Sequence, residues 1–124
     1  MSLKKLFMIK SYTDLEQSKK LAVFLPLESA DMIWILANPD LPMIKAIAYE
    51  DSEKNSKYFE VLPAWSLAAL LSVLDFPCLT QINENEWEVC AFDHDNSHYF
   101  EKTASNPVDA CVAMIEKLHE RKIL

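Results

Sequence analysis

The chain of 124 residues contains no glycine, and this absence restricts what its backbone can do. Glycine adopts positive φ readily and lets a backbone approach a ligand closely. The phosphate-binding P-loop, the dinucleotide-binding G-x-G-x-x-G turn and the G-x-S-x-G nucleophile elbow all require it. These kinds of site are therefore excluded, and we expect the turns to be built from Asn, Asp, Ser and Pro.

The composition predicts a single α+β domain over residues 1–124. Half of the residues are apolar (51%) and a quarter are charged (25%), which is typical of a soluble globular protein. The sequence has no apolar run long enough for a membrane span or a signal peptide, so we expect a cytoplasmic protein. The three cysteines (Cys78, Cys90 and Cys111) form no C-x-x-C pair and are expected to be reduced thiols.

Three helices are predicted from capping residues and helical spacing. The first begins with a capping box formed by Thr13 and Glu16 and ends before Pro26. The second has Pro63 at its first position and runs through an almost wholly apolar segment to residue 74. The third begins at Asn106, followed by Pro107. Its predicted buried residues are Ala110, Cys111, Met114, Ile115 and Leu118.

Apolar and β-branched runs between the helices predict a mainly antiparallel sheet, in the order β-α-β-β-α-β-β-β-α. A hairpin is predicted around Asn83 and Asn85, one of which we expect to adopt the left-handed conformation in place of glycine. Trp65 and Trp87 are expected in the core. The predicted strands cover 4–10, 32–36, 44–49, 79–82, 86–92 and 98–102, with a further short strand over 58–62.

The net charge of −7 is unevenly distributed along the chain. Between Lys57 and Lys102 there is no Lys or Arg, whereas eight acidic residues lie in that stretch. Such a stretch repels nucleic acid and favours a basic protein partner. The alternative is a solvated surface that keeps the protein soluble. The residues expected to carry an interaction are Glu84, Glu86, Glu88, Asp93 and Asp95.

One cluster has side chains of the types that ligate metals: Cys90, His94 and His98. Zinc accepts thiolate and imidazole ligands, but the spacing is not that of a zinc finger. Exposed turn residues explain the same cluster without a metal, so we expect no metal, no cofactor and no catalytic residue. A small metal-binding protein or hydrolase using these three residues stays open as an alternative, as does a small-ligand binder.

Two pairs of segments, 15–22 with 25–32 and 63–71 with 106–112, resemble a group of small Bacteroides-type bacterial proteins often found near prophages or mobile elements. The motifs of this group carry no assigned activity, so the resemblance transfers no catalytic residue. It implies a non-enzymatic accessory or protein-interaction domain, phage- or mobile-element-related, whose partner is a protein. Whether the chain forms a homo-oligomer stays open.

Overall fold

The computed structural model describes residues 10–38, 40–52, 60–93 and 98–124. Within these ranges, three helices and two three-stranded antiparallel sheets confirm the predicted α+β class. The strand predicted over 4–10 lies outside the described residues, apart from Lys10. The elements are α1 (Leu15–Ala22), β1 (Met32–Ile35), β2 (Met43–Lys45), β3 (Val61–Ala64), α2 (Leu67–Val73), β4 (Cys78–Asn83), β5 (Glu86–Asp93), β6 (His98–Ala104) and α3 (Pro107–Glu120).

The chain divides into two compact units. The N-terminal unit covers Tyr12–Ala69, and the C-terminal unit contains Leu70–Leu124 together with Lys10 and Ser11. That the whole chain is one domain stays a prediction. Among the helices of the described ranges, none has the length and apolar character that a membrane span requires.

Helix α1 begins one residue later than the sequence predicts. Its capping box is formed by Asp14 and Gln17, whose side chains bond each other's backbone N–H groups at 2.8 and 3.1 Å. Thr13 is instead fully buried. Its hydroxyl bonds the Ser18 hydroxyl at 2.8 Å and accepts from the Trp65 N–H at 3.1 Å. The buried Thr13 hydroxyl thus gives the backbone N–H of Trp65 a partner that it would otherwise lack.

The sheet of the N-terminal unit has the order β2-β1-β3. The prediction that helix α2 starts at Pro63 is wrong, because Pro63 lies in strand β3 opposite Ile33. Among the described strands, β3 is at the edge of this sheet, where a residue without an N–H is tolerated. Helix α2 begins at Leu67, after Ser66, whose hydroxyl accepts from the Ala69 N–H at 3.2 Å.

Trp65 lies at the centre of the N-terminal unit and is fully buried, which confirms its predicted place in the core. Its indole N–H donates to the Ser29 hydroxyl at 2.9 Å, so its polar atom is satisfied. Trp34 is half-buried and donates to the Thr13 carbonyl at 3.1 Å. The other apolar core residues of this unit are Leu21, Leu25, Ala30, Ile33, Ala64 and Ala69.

The sheet of the C-terminal unit has the order β4-β5-β6, and the predicted hairpin between β4 and β5 is confirmed. The expectation of a left-handed Asn83 or Asn85 is wrong. Among the described residues, positive φ occurs at Phe76 (47°) and Lys122 (60°). The turn closes because the Asn83 side-chain oxygen accepts from the Asn85 N–H at 2.9 Å, and the strand pairing is irregular between residues 81 and 83. An Asx turn thus replaces the left-handed residue.

Helix α3 starts as predicted, with the Asn106 side chain accepting from the Asp109 N–H at 2.9 Å and Pro107 in the first turn. Lys10 forms an ion pair with Asp109 at 2.9 Å. The helix packs against β5 and β6. The five residues of the predicted apolar stripe are all buried, together with Pro107, Val108 and Val112. Trp87, predicted as core, is only half-buried.

Candidate interaction face

The outer face of the β4-β5-β6 sheet carries side chains that the register places together. In an antiparallel pair, partnered residues lie on the same face, and neighbours along a strand alternate between faces. Val89 and Ala91 are fully buried on the inner face, so the residues that alternate with them form the outer face. We call this set the acidic sheet face; it consists of Cys78 and Thr80 on β4, Glu86, Glu88, Cys90 and Phe92 on β5, and Tyr99, Glu101 and Thr103 on β6.

Two aromatic side chains of this face are exposed. Phe92 and Tyr99 are cross-strand partners, and their rings meet edge to face with centroids 5.5 Å apart. Phe92 is 43% exposed and Tyr99 is 54% exposed. Large apolar side chains exposed next to one another are typical of recognition surfaces.

A third exposed aromatic residue, Phe76, lies next in the chain to a backbone hydrogen bond with Phe92. The carbonyl of the preceding residue, Asp75, accepts from the Phe92 N–H at 3.1 Å. Phe76 has φ 47° and is 71% exposed. Positive φ is unusual for a bulky residue other than glycine, and such strained residues are frequent at functional sites.

Cys90 lies almost buried at the centre of the acidic sheet face. The Tyr99 hydroxyl donates to its sulfur at 2.6 Å, and its own thiol donates to Glu88 Oε1 at 3.5 Å. Burial raises the pKa of Cys90; the Glu88 carboxylate raises it further, and the Tyr99 hydrogen bond opposes both. The bond to Cys90 raises the pKa of Tyr99 to about 12. Cys90 is therefore a protonated thiol at neutral pH and a poor nucleophile.

Negative charge is concentrated on the acidic sheet face. The possible ligand atoms of Glu88, Cys90 and Glu101 all lie within 4.8 Å of one another. Cys78 is the cross-strand partner of Cys90 and is exposed. Basic residues of the described part of this unit are placed elsewhere. Lys102 is paired with Val89 and so lies on the inner face, Lys117 and Arg121 lie over the Phe100 ring, and Lys10 pairs with Asp109.

The structure separates the acidic residues expected to carry an interaction. Glu86 and Glu88 are half-buried on the acidic sheet face, and Glu84 is exposed in the hairpin turn. Asp93 is only 5% exposed and lies on the inner face, because it pairs with His98 rather than with a residue of the outer face. Asp95 lies outside the described residues.

Cys90 and His98 do not come together. Cys90 pairs with Glu101 across β5 and β6, whereas His98 pairs with Asp93 three positions along, so the two side chains lie on opposite faces. The His98 ring instead meets the Phe100 ring at 6.2 Å. His94 lies outside the described residues.

Sequence reasoning missed that Cys78, Phe92, Tyr99 and Glu101 share one face with Cys90. The alternation along each strand was readable, but the register between β5 and β6 was not. Register in a hairpin is set by the turn, and the segment joining these strands has no two-residue Asn-Gly or Asp-Gly signal from which to count. A one-residue slip would have moved every side chain of β6 to the other face.

The chain matches no protein-family model, no curated protein and no solved structure. The acidic sheet face and its geometry are therefore the basis for assigning a function. The resemblance to small Bacteroides-type proteins stays a prediction.

Proposed function

We propose that the protein is a non-enzymatic interaction domain that binds a basic protein partner through the acidic sheet face. The observation that carries this proposal is the exposed aromatic pair Phe92 and Tyr99, which lies beside the carboxylates of Glu88 and Glu101 on the same side of the sheet. A phage- or mobile-element accessory role and a cytoplasmic location are part of the same proposal.

The aromatic pair supplies what the centre of a protein interface needs. Aromatic side chains bury a large area while few rotatable bonds are frozen, and they dominate the binding energy of many interfaces. Phe92 and Tyr99 are already oriented by contact with each other. The Tyr99 hydroxyl is further fixed by its bond to Cys90. Less conformational entropy is therefore lost when a partner covers these rings.

The surrounding charge supports a basic partner in particular. Glu88 and Glu101 border the aromatic pair, and the basic residues described in this unit lie on other surfaces. Charges at the rim of an interface steer the encounter and reject partners of like charge more than they add affinity. A Lys- or Arg-rich surface meets the carboxylates favourably, whereas an acidic surface or a nucleic acid is repelled.

A thiol hydrolase is the less favoured alternative. A catalytic cysteine needs a lowered pKa, which a neighbouring histidine or a helix N-terminus provides. Cys90 has the opposite environment, with burial and the Glu88 carboxylate raising its pKa, and His98 lies on the other face. These observations favour binding over nucleophilic catalysis.

The proposal is tested with immobilised arrays of Lys/Arg-rich peptides that contain one aromatic or aliphatic residue, with acidic peptides of the same length as the comparison. We expect binding to the basic peptides that weakens as salt is added, because the interaction is partly between exposed charges. Phe92→Ser and Glu101→Lys should each raise the dissociation constant about 10-fold or more. Fluorescence anisotropy in a chelator-containing buffer measures this change.

The matched control is Glu120→Lys, which makes the same charge change at an exposed residue of α3 away from the acidic sheet face. It should bind the basic peptides within about two-fold of the wild-type protein, since a single distant exposed charge is largely screened. Equal loss in Glu101→Lys and Glu120→Lys, or a preference for the acidic peptides, would contradict the proposal.

A further inference from the structure

We infer that the acidic sheet face contains a zinc site whose four ligands are Cys78, Glu88, Cys90 and Glu101. The inference goes beyond partner binding: it shares the carboxylates of Glu88 and Glu101 with the proposed binding face, and it rests in addition on the two thiols and on the spacing of the donor atoms. The site differs from the Cys90, His94 and His98 cluster considered from the sequence, and it shares only Cys90 with that cluster.

Three of the four donors are already close together. The Cys90 sulfur and one carboxylate oxygen each of Glu88 and Glu101 lie within 4.8 Å of one another. In a tetrahedral site with bonds of about 2.0–2.3 Å, neighbouring ligand atoms are about 3.3–3.8 Å apart. The Cys90 sulfur and Glu88 Oε1, 3.5 Å apart, already have this spacing, and the longer separations need to close by about 1–1.5 Å at most, for which side-chain rotation is the route.

Cys78 supplies the fourth ligand from the neighbouring strand. Its Cα is the register partner of Cys90, so the two side chains project from the same face of the sheet. Cys78 is exposed, and its sulfur makes a long contact of 3.9 Å with the Thr80 hydroxyl. The Cys78 sulfur lies outside the group of three close donors, so it has to rotate toward them when the ion binds. Two thiolates and two carboxylates then close a four-coordinate site.

The two carboxylates of the cluster favour the binding of a cation. Two carboxylates beside an almost buried thiol repel one another, and the basic side chains described in this unit lie elsewhere, on the inner face or around α3. A divalent ion would neutralise this repulsion and displace the thiol protons to solvent. The sulfur ligands select a borderline-soft ion such as zinc over magnesium or calcium, which prefer oxygen ligands throughout.

Tyr99 acts as a positioning residue for this site. Its hydroxyl donates to the Cys90 sulfur at 2.6 Å and would continue to donate to the metal-bound thiolate. Hydrogen bonds of this kind orient a ligand and stabilise its charged form, and their removal typically weakens metal affinity about 10–100-fold. Tyr99→Phe keeps the ring and its contact with Phe92 and removes only the hydrogen bond.

The test uses the full chain, stripped with a chelator, kept reduced with a phosphine and titrated with Zn²⁺ in a calorimeter and with Co²⁺ in a spectrophotometer. We expect one ion per chain, a tetrahedral Co²⁺ spectrum with a thiolate-to-cobalt charge-transfer band, and release of protons to the buffer. Glu101→Gln, Cys90→Ser and Tyr99→Phe should each weaken binding about 10-fold or more. Cys78→Ser should weaken binding and reduce the charge-transfer band by about half, because one of two sulfur ligands is lost.

The controls are Cys111→Ala, which removes a buried thiol of α3, and Glu120→Gln, which removes an exposed carboxylate. Both should bind zinc like the wild-type protein. Glu101 is exposed, so Glu101→Gln tests the site without endangering the fold. Substoichiometric binding, a Co²⁺ spectrum without thiolate bands, wild-type affinity in Cys78→Ser, or equal losses in the controls would overturn the inference. Because peptide binding is measured in chelator, its failure and the failure of the zinc site are distinguished.

Discussion

The cost of having no glycine is clearest at Lys122. The N–H of Lys122 bonds the His119 carbonyl at 2.9 Å and the N–H of Ile123 bonds the Leu118 carbonyl at 2.9 Å, which together form a Schellman motif at the end of α3. Lys122 occupies the position that glycine usually fills, with φ 60°. A side chain with a Cβ pays a steric penalty in this conformation. The helix therefore ends in a backbone conformation that favours glycine, although the residue there is a lysine.

Lys122→Gly should raise the free energy of unfolding by about 0.5–1 kcal/mol, because the steric penalty at positive φ exceeds the entropy that glycine adds to the unfolded chain. Guanidinium unfolding followed by circular dichroism measures this difference. Glu116→Gly, inside the same helix, should instead lower the free energy of unfolding by about 1 kcal/mol. A lower stability for Lys122→Gly would mean that the Schellman geometry carries no strain.

For the helices and strands, the sequence predicted which elements form better than it predicted where they begin and end. Helix α3 was predictable to its first residue, because Asn106 and Pro107 give a strong start signal and the apolar stripe continues for three turns. The start of α2 was mispredicted because Pro63 fits a helix start as well as an edge strand, and only pairing with β1 decides between them. Tertiary contacts overrode local preference there.

The candidate site was predictable only as a stretch of acidic residues. That Glu88 lies on a sheet with outward-facing glutamates followed from alternation, but which residues of β4 and β6 join it depended on register. The sequence therefore indicated the charge of the face and not its aromatic pair or its thiols.

The packing of α3 against β5 and β6 makes the buried thiol of Cys111 sensitive to pH. Burial raises the pKa of Cys111 from 9.0 to about 12. Above pH 9 the unfolded chain loses this proton while the folded chain keeps it, so the free energy of unfolding should fall as the pH rises from about 9 to about 12. Cys111→Ala removes this contribution. Urea unfolding over this range should show a shallower decline for the variant; parallel curves would contradict the prediction.

For the whole molecule, the balance between net charge and exposed apolar surface governs behaviour in solution. The chain carries a net charge of −7 at pH 7 and has an isoelectric point near 4.9. Phe76, Phe92 and Tyr99 are exposed large apolar residues of the C-terminal unit. Mutual repulsion keeps such surfaces apart at neutral pH, and this repulsion vanishes near the isoelectric point.

Self-association should therefore rise steeply as the pH approaches 4.9. Dynamic light scattering across a pH series measures it directly. The double variant Phe76→Ser with Phe92→Ser should stay monomeric to a pH closer to 4.9 than the wild-type protein does, since the apolar contact that follows charge neutralisation is removed. Val23→Ser, at a residue 83% exposed in the N-terminal unit, is the matched control and should behave like the wild-type protein. Identical onsets in the double variant and the wild-type protein would contradict a role for these rings.

Pro63 affects whether strands of two molecules can pair with each other through β3. Trp65, two residues after it, directs its N–H and C=O toward Thr13, and the alternation of the chain places the Pro63 nitrogen on the same outer edge of β3. A foreign strand approaching that edge finds no hydrogen donor at this position. The missing donor disfavours intermolecular β-pairing at this point of β3, where pairing of that kind is the first step of fibril growth.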